Sequence, residues 1–395
     1  MLKKCLLTAM ATGLAGQAIC ADASEIGLLK DEIKQLTSRL EKLELEQSAN
    51  SEQLQQTVDS ISWVQDLEIG GDFRFRYDQI DQDGKNERNR NRLRVRLNIK
   101  AKINDDVDFY GRLASGAGEP ASTNQTMDGS WTGKGIWIDR AYLNWKLNDN
   151  INVLAGKMAN PFYAPGKSQL LWDGDLNPEG GAVQYNGNLG GMKVFANAAA
   201  MWVEENSSEA DQGMFGIQAG FITDISLGKL TAGAGYFDYG NTSDTATFYD
   251  SSKSFGNTTL ASGEYAYDYN LLEGFAEMSF NTETPVSIFA DYVNNTASDV
   301  EQDTAWLIGG QLGKAKSKGS WQLGYNYRDV ESDAVIGAFS DSDFIGGGTN
   351  GKGHMFQGKY AIADNMAIGA TYFANNKGDN DDDFNRLLLD VEMKF

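Results

Sequence analysis

The chain is poor in proline, cysteine and histidine and has no long apolar segment beyond its N-terminal stretch. Its 395 residues include five prolines, two cysteines and one histidine. A transmembrane helix needs about 20 consecutive apolar residues, so the sequence excludes a helical membrane protein. The mean hydropathy of -0.43 resembles that of a soluble protein. Alternating strands, however, average an apolar face against a polar one, so this value does not exclude membrane β-structure.

These scarcities also limit the chemistry that the chain can perform. His354 has no serine or aspartate tied to it by a recognisable motif, so we expect no enzyme activity. We expect no cofactor and no metal site. With 34 basic and 55 acidic residues the formal net charge is -21, which argues against a nucleic-acid partner.

The first residues have the pattern of a secretory signal peptide. Lys3 and Lys4 precede an apolar stretch over residues 5–19, and Ala21-Asp22-Ala23 follows as a cleavage site. We therefore predict a signal peptide over residues 1–23. A lipoprotein anchored through Cys20 is the second interpretation, disfavoured because bulky Ile19 stands where that processing requires a small residue. Cleavage after Ala23 would leave the mature chain without cysteine.

Residues 24–66 are predicted to form a short α-helical coiled coil. Apolar side chains recur there at alternating spacings of three and four, which is a heptad seam. The seam consists of Ile26, Leu29, Ile33, Leu36, Leu40 and Leu43. Polar Gln47 and Asn50 then occupy the same register and weaken it. Because a lone helix with this stripe would be marginally stable, we expect the segment to associate with further copies.

From Leu67 the apolar period changes to two, and it stays near two to the C-terminus. The connections between the alternating segments are short and long in turn, and all five prolines lie in connections. We predict an all-β domain over residues 67–395, a transmembrane antiparallel β-barrel of about 16 strands. A soluble β-sandwich or β-helix is the alternative, but no fixed short repeat is present.

The final segment, RLLLDVEMKF, is predicted to be the strand that closes the barrel. Its alternation is broken only at Leu388, and it ends on Phe395. In a closed barrel the last strand pairs with the first, so the terminus does not fray. Phe395 is then expected in the aromatic girdle at the membrane interface.

Nine of the twelve arginines lie between Arg74 and Arg140. A lipid-facing arginine costs about 2 to 4 kcal/mol at the bilayer midplane, so the strand alternation directs these side chains into the lumen. The candidate pore-lining cations are Arg74, Arg76, Arg92, Arg94, Arg96, Lys100, Arg112 and Arg140. They are either wall structure neutralised by carboxylates such as Asp72, Asp78 or Asp108, or an electrostatic filter.

The connection over residues 158–181 is apolar and contains three of the five prolines. Such a segment is not expected to extend into solvent. We expect it to fold into the lumen and to place Asp173, Asp175 and Glu179 at the constriction.

Several blocks of this sequence occur together in one family. GDFRFRYD, RNRLRVRLNIKAKINDDVDFYGRLASG, IDRAYLNW, GKMANPFY and LWDGDLNPEGGAVQY resemble the putative porins of Gram-negative outer membranes. The resemblance implies a homotrimeric diffusion pore that a periplasmic coiled coil precedes. We predict a porin for small hydrophilic solutes or ions, in contact with outer-membrane lipid and lipopolysaccharide. The last strand also resembles the signal read by the outer-membrane assembly machinery. The alternative function is an outer-membrane anchor whose coiled coil tethers the membrane to the cell wall or to a partner.

Overall fold

A computed structural model describes residues 23–60, 62–207 and 210–395 of the chain. The chain forms two compact units that meet in sequence at Gln65 and Asp66. The predicted signal peptide, apart from Ala23, and Cys20 lie outside the described residues.

The first unit contains the helix α1 (Ala23–Ser60), which a 3-10 helix (Ser62–Asp66) follows. Five side chains of the predicted heptad seam are 55% to 64% exposed, namely Leu29, Ile33, Leu36, Leu40 and Leu43. Within the described residues, no helix has the length and apolarity needed to cross a membrane. The helix is where the heptad pattern predicts it, whereas its association into a coiled coil stays a prediction.

The second unit is a β-barrel. Its strands are β1 (Leu67–Gln82), β2 (Arg88–Lys102), β3 (Val107–Ser115), β4 (Gln125–Thr126), β5 (Ile136–Lys146), β6 (Ile151–Lys157), β7 (Glu179–Leu189), β8 (Met192–Glu204), β9 (Gln212–Ile225), β10 (Gly228–Gly240), β11 (Tyr269–Phe280), β12 (Val286–Asn295), β13 (Thr304–Gly313), β14 (Trp321–Val330), β15 (Gly351–Ala363), β16 (Met366–Lys377) and β17 (Asp382–Lys394). Three further 3-10 helices lie in its loops, at Pro165–Lys167, Gly337–Phe339 and Phe344–Gly346.

The two-residue strand β4 adds to β2 within a loop, and the other 16 strands form the wall. Each wall strand pairs antiparallel with its sequence neighbours in the wall, and β17 pairs with both β16 and β1. The predicted closed antiparallel barrel of 16 strands is therefore confirmed.

The C-terminal residue completes this closure. The Gly71 N–H donates to the Phe395 carbonyl at 2.8 Å, and the Phe395 N–H donates to the Gly71 carbonyl at 3.1 Å. A Cβ atom at Gly71 would contact the Phe395 ring at 2.7 Å and would also overlap the Arg96 carbonyl. The last strand is thus held to the first through its final residue.

The predicted alternation separates two environments. On β1, Phe75 faces outward and is 38% exposed, whereas Arg74 and Arg76 face inward and are buried. Leu388, which breaks the alternation of the last strand, is 1% exposed and faces the interior. It belongs to a cluster of buried apolar side chains inside the barrel that includes Phe344 and Phe373.

Loops supply much of that interior cluster. The long connections all lie at one end of the barrel, and residues 158–178, 241–268 and 331–350 contribute buried apolar side chains to it. These are Met158, Phe162, Leu170, Leu171, Phe248, Tyr265, Ala334, Val335, Ile336, Ala338, Phe344 and Ile345. The three loops therefore fill part of the barrel with a packed core.

We expect Gly71→Val to weaken the closure of the barrel, because the added side chain would meet the Phe395 ring and the Arg96 carbonyl. Overpacking of this kind typically costs about 1 to 3 kcal/mol. The measurement is the temperature at which the folded band disappears on SDS gels of the refolded protein. Gly274→Val is the matched control, since a Cβ there has open space. Equal midpoints for the two variants would contradict this account of the closure.

Candidate functional site: the charged lumen

The inward arginines lie on neighbouring strands. The alternation along each strand turns their side chains to the inner face of the barrel. Arg74 and Arg76 lie on β1, Arg92, Arg94 and Arg96 on β2, Arg112 on β3 and Arg140 on β5. Arg74 lies opposite Arg94, and Arg76 lies opposite Arg92. Most of this wall is neutralised by carboxylates, some from neighbouring strands and some from loops.

Asp343, in the loop over residues 331–350, joins two arginines from the two ends of the barrel sequence. Arg76 Nη1 lies 2.8 Å from Asp343 Oδ2, and Arg386 Nη2 lies 3.0 Å from Asp343 Oδ1. Arg76 also donates two hydrogen bonds to Asp390, at 2.7 and 2.9 Å. Arg386 makes the same bidentate contact with Asp78, at 2.9 Å for each bond. Bidentate pairs of this kind are the strongest charged hydrogen bonds in proteins.

A second group ties the loop over residues 158–178 to the wall. Arg94 donates to Asp72 Oδ1 at 2.8 Å, and Arg96 Nε donates to Asp72 Oδ2 at 2.7 Å. Arg96 Nη1 reaches Asp175 Oδ1 at 3.0 Å. The second oxygen of Asp175 accepts hydrogen bonds from the N–H and the hydroxyl of Thr123, at 3.2 and 2.9 Å. Asp175 therefore connects two loops and one strand.

Three other arginines are bound less completely. Arg74 and Arg92 have their carboxylate partners at 3.9 Å, and both donate hydrogen bonds to Asn124. Arg140 donates to the amide oxygen of Asn177 at 2.7 Å, and among the described residues it has no ion pair. The positive charge of Arg140 is thus not neutralised by a direct contact.

The loop over residues 158–178 folds inward, as its composition predicts. The Tyr163 hydroxyl and the Gly166 N–H donate to Glu277 on β11, at 2.7 and 2.8 Å. Gly166 has φ +56°, and a Cβ there would overlap the Phe289 ring on β12. Glycine is therefore required at this close approach to the wall.

The environments of two carboxylates in this loop differ although they are two residues apart. Burial raises the pKa of Asp173, and the neighbouring carboxylates Asp341 and Asp175 raise it further. Burial alone would raise the pKa of Asp175, but Arg94 and Arg96 hold it below its ordinary value. Asp175 is the carboxylate that acts as an anion in the wall.

A central cavity of about 730 Å³ lies against this wall. Six cationic and eight acidic side chains line it. Two of the acids, Glu273 on β11 and Asp291 on β12, are buried on strands that lie across the barrel from β2 and β3. The cavity therefore has acidic side chains on the side opposite the arginines as well as among them.

A second cavity of about 570 Å³ adjoins the first, and the two share six lining residues, including Lys167 and Lys359. Its lining reaches Pro285 and Lys314, which belong to the short-turn end of the barrel. Arg328 also lines it, and no carboxylate does so among the described residues. Arg328 and Lys359 pair with carboxylates that do not line this cavity, at 2.7 Å each. The positive charge of the second cavity therefore comes from Lys167 and Lys314.

The predicted site residues are only partly brought together. Those that line the central cavity are Arg74, Arg76, Arg94, Arg140, Asp173 and Asp175. Three others belong to the same wall but do not line the cavity, namely Arg92, Arg96 and Arg112. Of these, Arg112 forms an ion pair with Asp139. Lys100 instead pairs with Glu68, and Glu179 pairs with Lys157, each away from both cavities.

Other residues that line the central cavity were not predicted from the sequence. Asp343, Lys167, Glu273 and Asp291 all line the central cavity. For Glu273 and Asp291 the strand phase was a usable signal, because both stand at inward positions. For Asp343 and Lys167 no periodic signal exists, since both lie in loops. Within the described part of the chain, no cluster of three or more metal-ligating side chains is present.

The chain matches the model of the putative porin family over residues 81–287 and 264–395. Among solved structures, it is similar to OprB of Pseudomonas putida, with a TM-score of 0.58 and 11% identity over 86% of this chain and 96% of that one. A loop-deletion mutant of the Vibrio cholerae outer membrane protein OmpT has a TM-score of 0.48 and 13% identity, over 83% and 99% of the chains. A mutant Rh. blastica porin has a TM-score of 0.48 and 11% identity, over 83% and 100%. No curated protein matches the chain.

We expect Asp175→Asn to loosen the inward loop, because it removes the charge that Arg96 faces. A hydrogen bond to a charged group contributes about 2 kcal/mol, which corresponds to about 30-fold faster amide exchange in residues 158–178. The measurement is hydrogen exchange by mass spectrometry at neutral pH.

The control for this prediction is Glu179→Gln, which alters an exposed ion pair and should change exchange by no more than about fivefold. Because the pKa of Asp175 is lowered in the folded protein, its contribution is present above the ordinary pKa of about 4 and is lost as the pH falls below it. The difference between variant and wild type should therefore narrow at about pH 3. A constant difference would show that the charge of Asp175 does not hold the loop.

Proposed function

The chain belongs to the putative porin family, and from this membership and the form of its lumen we propose that it lets small hydrophilic solutes and ions diffuse passively across the outer membrane. It is an outer-membrane porin with a closed β-barrel. The two adjoining cavities are the observation that carries the proposal. Together they extend from the arginine wall to the short-turn end, beneath a loop that narrows the barrel.

The charge selectivity of this pore is assigned to the cations that lack a carboxylate partner. Most of the inward arginines are neutralised by direct ion pairs, so removing their charges one by one would mainly destabilise the wall. Arg140 lines the central cavity, Lys314 lines the second, and Lys167 lines both. None of the three has an ion pair with another described residue. Unneutralised cations of this kind favour the passage of anions.

We expect Arg140→Gln and Lys167→Asn to shift the pore toward cations. A unit charge about 5 Å from a passing ion in water contributes about 1 kcal/mol, so each variant should change the permeability ratio by about fivefold or less. Asparagine suits position 167, where φ is +63°. The measurement is the reversal potential across a planar bilayer in a salt gradient.

Arg88→Ser is the control for these variants, since Arg88 is exposed at the loop end of β2 and lines neither cavity. Open channels with unchanged selectivity in both lumen variants would overturn the assignment. A folded barrel that carries no current would contradict the pore itself and favour the alternative of an outer-membrane anchor.

The orientation follows from the lengths of the connections. Bacterial outer-membrane barrels have short periplasmic turns and longer extracellular loops. β1 begins at the short-turn end, so the preceding segment, residues 24–66, is assigned to the periplasm after removal of residues 1–23. Lipid and lipopolysaccharide would then surround the outward apolar face, and the assembly machinery would read the last strand.

The exposed heptad seam of α1 supports self-association of the chain. Leu36 and Leu40 remain exposed in the single chain, although burial of such side chains is the main force that stabilises long helices. A second and a third copy of the same seam would cover them. We therefore assign the helix to the assembly of a homotrimer.

We expect the Leu36→Cys variant, made in a chain from which Cys5 and Cys20 have been removed, to form disulfide-linked dimers. The measurement is a non-reducing gel of membranes that contain this variant. Leu36 lies in the seam, where two helices approach most closely. Ser38→Cys is the matched control, because its position is on the opposite side of the heptad. Equal cross-linking of the two variants, or none with either, would contradict the coiled coil.

A further inference from the structure

A third cavity, of about 280 Å³, lies at the long-loop end of the barrel and differs in character from the charged lumen. Its interior is formed mainly by apolar and aromatic side chains: Phe162, Trp172, Met201, Met214, Tyr239 and Phe339. Met201 and Met214 face inward from β8 and β9. The phenylalanines and the tryptophan come from the loops over residues 158–178 and 331–350. The pocket therefore offers an apolar surface in a barrel whose first two cavities are lined by charged side chains.

The aromatic side chains are held in fixed orientations. The rings of Phe162 and Trp172 stack with centroids 5.5 Å apart, and the Trp172 ring meets Phe237 edge-on at 4.7 Å. The Trp172 Nε1–H donates to the Tyr239 hydroxyl oxygen at 2.8 Å. A ring that entered this cavity would therefore meet a preformed aromatic surface, with little ordering required on binding.

Tyr239 provides a polar contact within the cavity. The side chain is 3% exposed, and its hydroxyl oxygen already accepts the hydrogen bond from Trp172. Its own O–H proton has no acceptor among the described residues. A buried hydroxyl normally uses its donor, so an acceptor atom of a ligand would complete it.

The rim of the cavity disfavours an anionic ligand. Glu179 and Glu205 stand there with one cation, Lys157, and that lysine is paired with Glu179 at 2.8 Å. The remaining charge at the rim is negative. A sugar is disfavoured as well. The two amide side chains of the lining, Asn160 and Asn177, already form hydrogen bonds within the protein, so the several hydroxyls of a sugar would lack partners.

We propose that this cavity binds an uncharged monocyclic aromatic compound that carries one carbonyl or ether oxygen. The ring would pack against Trp172 and the two methionines, and the oxygen would accept the proton of Tyr239. An apolar cavity of about 150 Å³ is enough to bind benzene, so 280 Å³ accommodates a ring with a small substituent. Phe162 and Trp172 also line the central cavity, so the bound ring lies directly behind the wall of the pore.

The test uses acetophenone as the probe and saturation-transfer NMR on the full-length protein in lipid nanodiscs, with empty nanodiscs as the blank. We expect a signal from the acetophenone ring above the blank, and a much weaker one from benzoate, which has a similar ring but a negative charge. Val203→Phe places a side chain into the cavity and should abolish the signal. Met355→Phe is the matched control, because Met355 lines the other two cavities and not this one.

Tyr239→Phe tests the hydroxyl, since it keeps the ring and removes both the donor to the ligand and the acceptor of the Trp172 N–H. Its affinity for acetophenone should fall by about fivefold. An unchanged signal in Val203→Phe, or glucose that competes with acetophenone for the wild-type protein, would overturn the proposal. Because the readout is binding, a protein that binds acetophenone but does not conduct would contradict only the porin function.

Discussion

A chain that crosses a bilayer as strands has to pair every backbone N–H and C=O group within itself, because hydrocarbon offers no hydrogen-bond partner. The 16 wall strands satisfy this condition by closing β17 on β1, down to the reciprocal hydrogen bonds between Gly71 and Phe395. Closure leaves each side chain with one of two environments, lipid or interior. The charged residues of the strands are therefore confined to the interior before any particular contact is formed, and the arginine wall follows from this confinement.

Charges confined in this way require partners, and the loops provide a share of them. Asp175 and Asp343 belong to two different loops, yet each completes an ion pair with arginines of the wall. A buried charge that lost such a partner would cost several kcal/mol, so the loops and the wall stabilise each other. The same contacts decide which cations remain without a partner. In the charge selectivity that we propose, Arg140, Lys167 and Lys314 are the cations left without a partner once the pairs have formed.

The sequence predicts one part of this arrangement well and another part poorly. A period of two depends only on the two environments of a strand, so the start at Leu67, the strand number and the inward phase of the arginines could be predicted. Phase, however, gives the side of the wall and not the height or the partner. Lys100 and Arg94 share a phase, but one lies near the short turns and the other in the central cavity. The pair formed by Arg76 and Asp343 joins residues 267 positions apart, and no spacing rule connects a strand to a particular loop.

The exceptions to the alternation contain information of their own. Leu388 and Phe373 are apolar residues at inward positions, where a water-filled lumen would make them costly, and both are buried within the loop-filled part of the barrel. An inward apolar residue near the loop end of a strand therefore indicates that a loop packs above it. Met201 and Met214 are exceptions of the same kind on β8 and β9, but there the loops leave a cavity. Contact between water and an apolar surface is unfavourable. An apolar lining therefore suits a bound ring, as we propose, better than the passage of polar solutes.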